Sequence, residues 1–164
     1  ASSFTLISTY ETEIKAVNKA IEKTLKGIDP NAYQSLLSIP GIGPVMAAGI
    51  LSEIGYIDAF KNQEALAKYA GLVWRENQSG NFQADDTPLS KAGNAYLRYY
   101  LIEATSHVKN HCGEFAAFYQ KKYDEVKIHQ HKRALALTAR KFVRLIFGLL
   151  ANHQLYSSDR VVQA

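Results

Sequence analysis

The chain is poor in the residues that would staple it or anchor it in lipid. Its 164 residues include one cysteine, Cys112. No intramolecular disulfide framework can form, and a reducing, cytoplasmic setting is expected. No stretch approaches the ~20 uninterrupted apolar residues of a membrane span. The richest, Ile39 to Ile54, is broken by Pro40, Gly41, Gly43, Pro44, Gly49 and Glu53. The first residues lack a cationic segment followed by an apolar one, so no secretory signal is expected. Met46 is the only methionine, and a chain that opens on Ala1 is expected to belong to something longer. What is present suits a folded domain: 47% of residues are hydrophobic and 21% charged, enough apolar material for one core.

Charge is uneven. Residues 1–120 carry ten cationic and twelve acidic side chains, whereas residues 121–164 carry nine and three. A basic C-terminal end fits a polyanionic partner, nucleic acid first. A solvated helix face fits it equally.

Hydrophobic periodicity predicts a mostly helical, all-α chain. Ile7, Ile14, Ile21 and Ile28 recur every seven residues, with Tyr10 and Val17 three after the first two. This predicts one helix over 4–28 with a narrow seam, suited to coiled-coil pairing or to packing on its own domain. Asp29 and Pro30 break it, and Asn31 is placed to cap a short helix through Ser38. Further helices are expected over 45–54, from Asn62 to Tyr69, from Lys91 to about Asn110 with Ser90 as cap, over 114–126, and from Lys132 to His153. Residues 71–89 read as a long loop with a short hairpin around Leu72-Val73-Trp74. Loops of that length inside a domain are functional or disordered. The layout is then a coiled-coil-like helix over 1–29, a helical domain over 30–156 and a tail over 157–164.

The sharpest local pattern lies at 36–55, around Ile39-Pro40-Gly41-Ile42-Gly43-Pro44. It resembles a helix-hairpin-helix, a nucleic-acid-binding element. Gly41 and Gly43 can adopt positive φ and admit a phosphate close to the backbone, and the helix that follows offers free N–H groups to an anion. Ile39, Ile42, Val45 and Ile50 would wedge the two helices together, and Ala47, Ala48 and Gly49 would let helices approach closely. A ligand-free αα-corner is the alternative. On the last helix Lys132, Arg133, Arg140, Lys141 and Arg144 form a basic stripe. Ser79 in Gln78-Ser79-Gly80 has no Gly-x-Ser-x-Gly elbow around it, but Arg75, Lys91 and Arg98 lie near in sequence and would stabilise a phosphorane. His107, His111, Cys112, His129 and His131 match no metal-ligand spacing, so no metal is expected in this chain. Tyr96 and Tyr100, one turn apart, are expected in the core.

Taken in order, these segments resemble one family. They are the heptad helix, Ile-Pro-Gly-Ile-Gly-Pro, Tyr69-Ala70-Gly71-Leu72, Gln78-Ser79-Gly80, Leu89-Ser90-Lys91-Ala92-Gly93-Asn94 with Leu97-Arg98, and Lys132-x-x-Leu135 with Ala139-Arg140-Lys141. Over residues 1–152 the chain is similar to the C-terminal transposase domain of the Piv-like DEDD transposases, the IS110 group. One departure is Val73-Trp74, where the family often has a residue followed by proline. The resemblance implies a DNA transposase or site-specific recombinase. It makes Ser79 the nucleophile that forms a transient phosphoserine link with DNA, and puts Arg75, Lys91, Asn94 and Arg98 in the DNA-contacting segment. It further implies an upstream RuvC-like domain with four acidic residues holding a divalent metal, Mg by preference, joined to this domain by a coiled coil, and a structured RNA as a second nucleic-acid partner. The heptad seam itself predicts homo-oligomers paired through the N-terminal helix. The chain alone is expected to hold no cofactor, to bind nucleic acid weakly and not to cut it. A non-catalytic nucleic-acid-binding and oligomerisation module is the alternative reading.

Overall fold

A computed structural model of the chain describes residues 2–74, 78–79, 82–83 and 88–158. Among them are seven α-helices: α1 (Ser3–Ile28), α2 (Pro30–Leu37), α3 (Pro44–Ile54), α4 (Gln63–Tyr69), α5 (Ala95–His111), α6 (Gly113–Asp124) and α7 (Gln130–Ala151). A single 3-10 turn, Ile57–Ala59, separates α3 from α4. Two two-residue strands, β1 (Gln78–Ser79) and β2 (Phe82–Gln83), pair antiparallel. The fold is all-α, as the periodicity predicts.

Helix boundaries follow capping chemistry. Asp29, not Asn31, caps α2: its carboxylate accepts the Ala32 N–H at 2.9 Å, and Pro30 takes the first helical position, where a missing N–H costs nothing. Asn62 caps α4 through the Ala65 N–H. The α5 helix begins at Ala95 rather than Lys91, because the Asn94 side chain accepts the N–H groups of both Tyr96 and Leu97 at 2.9 Å. Ser90 makes only a long contact to the Ala92 N–H, 3.4 Å. The expected hairpin near Trp74 is instead an isolated bridge from Trp74 to Leu89.

The core lies where α5, α6 and α7 meet α2, α3 and α4. Along α5, Leu97, Leu101, Ala104, Thr105 and Val108 are buried, the spacing of one helical face. Opposite them α7 buries Phe142, Val143 and Ile146. The rings of Phe115 and Phe142 meet edge to face at 5.8 Å. Gly49 of α3 faces Tyr100 of α5 so closely that a Cβ there would stand 2.3 Å from the ring. The small residues of α3 therefore admit α5, not only α2. Tyr96 is exposed rather than in the core, and so is Val45. The α1 helix buries none of its residues; only Leu25, near its end, packs against the core.

Candidate nucleic-acid interface

The long loop leaves the body between two stems that are stitched together. The N–H groups of Asn94 and Ser90 donate to the carbonyls of Tyr69 and Val73, each at 2.7 Å, and that of Lys91 donates to Gly71 at 3.3 Å. The Trp74–Leu89 bridge continues the stitching. Two glycines make the approach possible. A Cβ on Gly93 would lie 2.2 Å from the Tyr69 carbonyl oxygen, and one on Gly71 would lie 2.7 Å from the Ala92 carbonyl oxygen; both residues have positive φ. The Arg98 guanidinium then donates to the Ala70 carbonyl at 3.1 Å and the Lys91 carbonyl at 3.0 Å, tying one stem to the other. The Asn94 amide donates to the Glu53 carboxylate at 2.8 Å and to the Tyr69 hydroxyl at 3.2 Å. A clasp of four elements thus sets where the loop begins and ends.

Within that loop Ser79 sits on β1, opposite Phe82. Arg75 lies outside the described residues. Lys91 is exposed beside the clasp, with a left-handed backbone (φ +53). Asn94 and Arg98, predicted DNA contacts, carry the structural duties just described. The sequence reading missed Glu53 and Tyr69 as their partners. The available signal was Glu53 itself, a carboxylate inside the apolar helix α3.

The turn between α2 and α3 behaves differently at its two glycines. Gly41 has φ +93, and a Cβ there would press at 3.0 Å on the His107 carbonyl of α5. Its lack of a side chain is thereby explained by packing against α5. Gly43 is extended (φ −96), caps α3 and has open space around it, so positive φ is not its reason for being glycine. Ile39, Ile42 and Ile50 are buried as expected.

The α7 cations split into engaged and free. Arg133 pairs with Glu125 at 3.1 Å; hydrogen bonding from Lys122, and then from Arg133, holds the Glu125 carboxyl below its ordinary range. Lys141 pairs with Glu114 and lies over the rings of Phe118 and Phe115, 4.9 and 5.4 Å from their centroids. Arg140 is half-buried and donates to the Gln63 carbonyl at 3.3 Å. Burial lowers its pKa and the nearby Arg144 charge lowers it further, while Glu64 opposes both. Lys132 and Arg144 are exposed. Arg140, Lys141 and Arg144 share the wall of one groove beside α7.

Among the histidines, His111 Nδ1 contacts the His107 carbonyl and His131 Nδ1 the Tyr119 hydroxyl, at 2.9 and 2.7 Å. Among the described residues no three His, Cys, Asp or Glu side chains gather as a metal site, and none of their helices is long and apolar enough to cross a membrane.

Comparison with known proteins places these features in a family. Residues 33–120 match the model of the Transposase IS116/IS110/IS902 family. The chain is 31% identical over 154 residues to the transposase for insertion sequence element IS1111A of Coxiella burnetii, covering 92% of this chain and 39% of that protein. It is 26% identical over 151 residues to a probable family 20 transposase of Pseudomonas aeruginosa, covering 92% and 44%. A DNA ligase of Marinobacter nauticus is 34% identical over 90 residues, 49% of this chain and 12% of the ligase. The chain spans less than half the length of its transposase relatives. The stems of the clasp and the α2–α3 turn lie inside the matched segment, and the chain belongs to the IS116/IS110/IS902 transposase family.

Proposed function

We propose that this chain is the serine-bearing, DNA-binding part of a Piv-like DEDD transposase, a C-terminal domain that presents Ser79 to a DNA phosphodiester. The observation that carries this reading is the clasp. Four backbone pairings, two obligatory glycines and the Arg98 and Asn94 side chains fix both ends of a loop that has Ser79 on a hairpin strand. A scaffold that stiff under a polar loop suits a loop whose job is to place one group.

The chemistry is a transesterification. The Ser79 Oγ bonds to phosphorus, one sugar oxygen leaves, and the hydroxyl proton passes to that oxygen. A second sugar hydroxyl reverses the step and reseals DNA, so no external energy source is needed. Lys91, exposed at the clasp, and Arg75 would offset charge on the phosphorane oxygens. A divalent metal would lower the barrier by stabilising charge on the reacting oxygens; in this reading it belongs to the upstream RuvC-like domain and is held by no residue of this chain. The exposed N-terminus of α3 at Gly43, together with Lys132, Arg144 and their neighbours, grips DNA, and a structured RNA is a further partner. The exposed heptad seam of α1 pairs copies of the chain.

Joined to its upstream domain, the chain should form a covalent adduct with DNA that Ser79→Ala abolishes while duplex binding holds, as read by denaturing gel and by anisotropy. An adduct that persists in Ser79→Ala overturns the reading and leaves the binding-module alternative. The 164-residue chain alone should bind DNA weakly and not cut it.

A further inference from the structure

A groove of about 590 Å³ runs along α7. Its floor is made by Leu137, Leu145, Leu149 and Gly148, with Phe118 of α6 on one side and the C-terminal segment at its end. That segment is pinned before any ligand arrives. The Tyr156 N–H donates to the Ser38 hydroxyl at 2.8 Å, the Tyr156 hydroxyl meets the Cys112 thiol at 3.0 Å, and the Gln154 N–H donates to the Leu149 carbonyl at 2.9 Å. Around Gly148 nothing lies within 4 Å of where a Cβ would stand, so the floor is open there. The cations lining the groove, Arg140, Lys141 and Arg144, fall within about one turn of α7. Lys141 is already paired with Glu114. Arg144 has no ion pair among the described residues, and Arg140 donates to the Gln63 carbonyl with the Glu64 charge nearby.

We propose that this groove seats one unpaired nucleotide, its base on the apolar floor beside Gly148 and Leu149 and its phosphate between Arg140 and Arg144. The volume lies in the range of small-ligand sites. A guanidinium fork suits phosphate oxygens. The main rival is an acidic amphipathic helix. It would spread carboxylates along its length, whereas no cation lines the groove past Arg144. The site also lies close to the loop. Arg140 touches Gln63 at the start of α4, and Tyr69 at its other end belongs to the clasp, about 10 Å away for seven helical residues. A nucleotide drawn out of DNA and held here would fix the strand relative to that loop. The inference rests on the reading of DNA as partner.

The test compares a labelled eight-nucleotide dT strand with an eight-unit abasic phosphate ladder of equal charge, by anisotropy with the 164-residue chain. The base-bearing strand should bind about tenfold tighter, the order of one well-seated base. Gly148→Phe, which fills the floor, should erase that preference while Gly148→Ala keeps it. If Gly148→Phe fails to fold by circular dichroism, Leu155→Ser, which removes an exposed apolar side chain from the end of the groove, should erase it instead. Arg140→Gln with Arg144→Gln should weaken both ligands and reduce the log–log salt slope by roughly 0.7 per lost contact. Equal binding of strand and ladder overturns the groove and leaves DNA as partner; no binding of either overturns both. A preference that survives in a folded Gly148→Phe, or in Leu155→Ser where Gly148→Phe does not fold, also overturns it.

Discussion

The helices α1 and α7 are both long and both separate an apolar face from a polar one, yet they meet opposite fates. The 22 residues of α7 bury eight side chains, among them Phe142, Val143 and Ile146. The 26 residues of α1 bury none, and Phe4, Ile7 and Ile14 are exposed by 83%, 55% and 58%. Periodicity announces that a face exists but not what covers it. The difference lies in the width and texture of the faces. On α7, Ala134, Thr138 and Ala139 flank the large residues and let α5 and α6 come close, and the Thr138 hydroxyl satisfies itself on the Ala134 carbonyl at 2.7 Å. On α1 the seam is narrow, with Tyr10 and Val17 between the isoleucines and charges on both sides, a form suited to pairing with another helix.

The contrast can be broken most forcefully at its two apolar rows. Phe142→Ala removes a fully buried ring that packs on Phe115, and should cost about 3–5 kcal/mol in urea unfolding. Ile14→Ala should change the intrachain stability by no more than ~0.5 kcal/mol. A loss at Ile14 near the core value would mean that α1 is covered within the chain, and the distinction would vanish.

A second pair sharpens the contrast between the clasp and α7. Gly93→Ala would place a methyl 2.2 Å from a carbonyl oxygen at φ +126. It should cost about 2 kcal/mol or more and loosen the loop stems, read as lost protection of the Asn94 amide in hydrogen exchange. Gly148→Ala meets open space inside a helix, and should stabilise by ~0.5–1 kcal/mol. Equal effects would show that the stems are not held as tightly as their geometry implies.

A smaller effect belongs to the pinned C-terminal segment. Burial, and then the Cys112 contact, push the Tyr156 hydroxyl up to about 12. The folded chain therefore holds that proton more tightly than the unfolded chain, whose tyrosines titrate near ~10. The stabilisation is complete below that value and is lost as pH rises toward 12. Tyr156→Phe should remove about 1 kcal/mol of this alkaline decline after allowance for partial exposure. Tyr33 and Tyr119, also raised by burial, keep the rest. An alkaline slope identical in the variant would mean that Tyr156 is not held as described.

The sequence was legible where one local rule governs. Heptads, the Asn62 cap and the Asp29-Pro30 break place most helices within a few residues of where they stand, though the interruption between α5 and α6 falls at Cys112 alone. It misled where two polar residues competed. Ser90 and Asn31 are good caps in isolation, but Asn94 wins because its amide also reaches Glu53 and Tyr69, and Asp29 wins because Pro30 follows it. The clasp was half legible. Gly71, Gly93, Asn94 and Arg98 stood out, but their partners lie up to 41 residues away in sequence and no periodicity joins them. The groove was invisible for the same reason: its cations appear as a stripe, but its floor and end wall come from residues that only packing brings together.

The smallest intrachain effect is the most telling about α1. Ile14→Asp with Ile21→Asp should leave unfolding within ~0.5 kcal/mol of the parent in dilute solution, because neither side chain is buried. If the seam pairs copies of the chain, the same substitutions place two carboxylates in an apolar interface. The mass seen in light scattering should then fall to that of one chain, and the concentration dependence of Tm should disappear. A parent chain that is monomeric throughout the micromolar range would deny the seam a second copy. The isoleucine row would then be left for the rest of the same protein or for a different polypeptide to cover, and α1 would be an attachment point rather than a pairing helix.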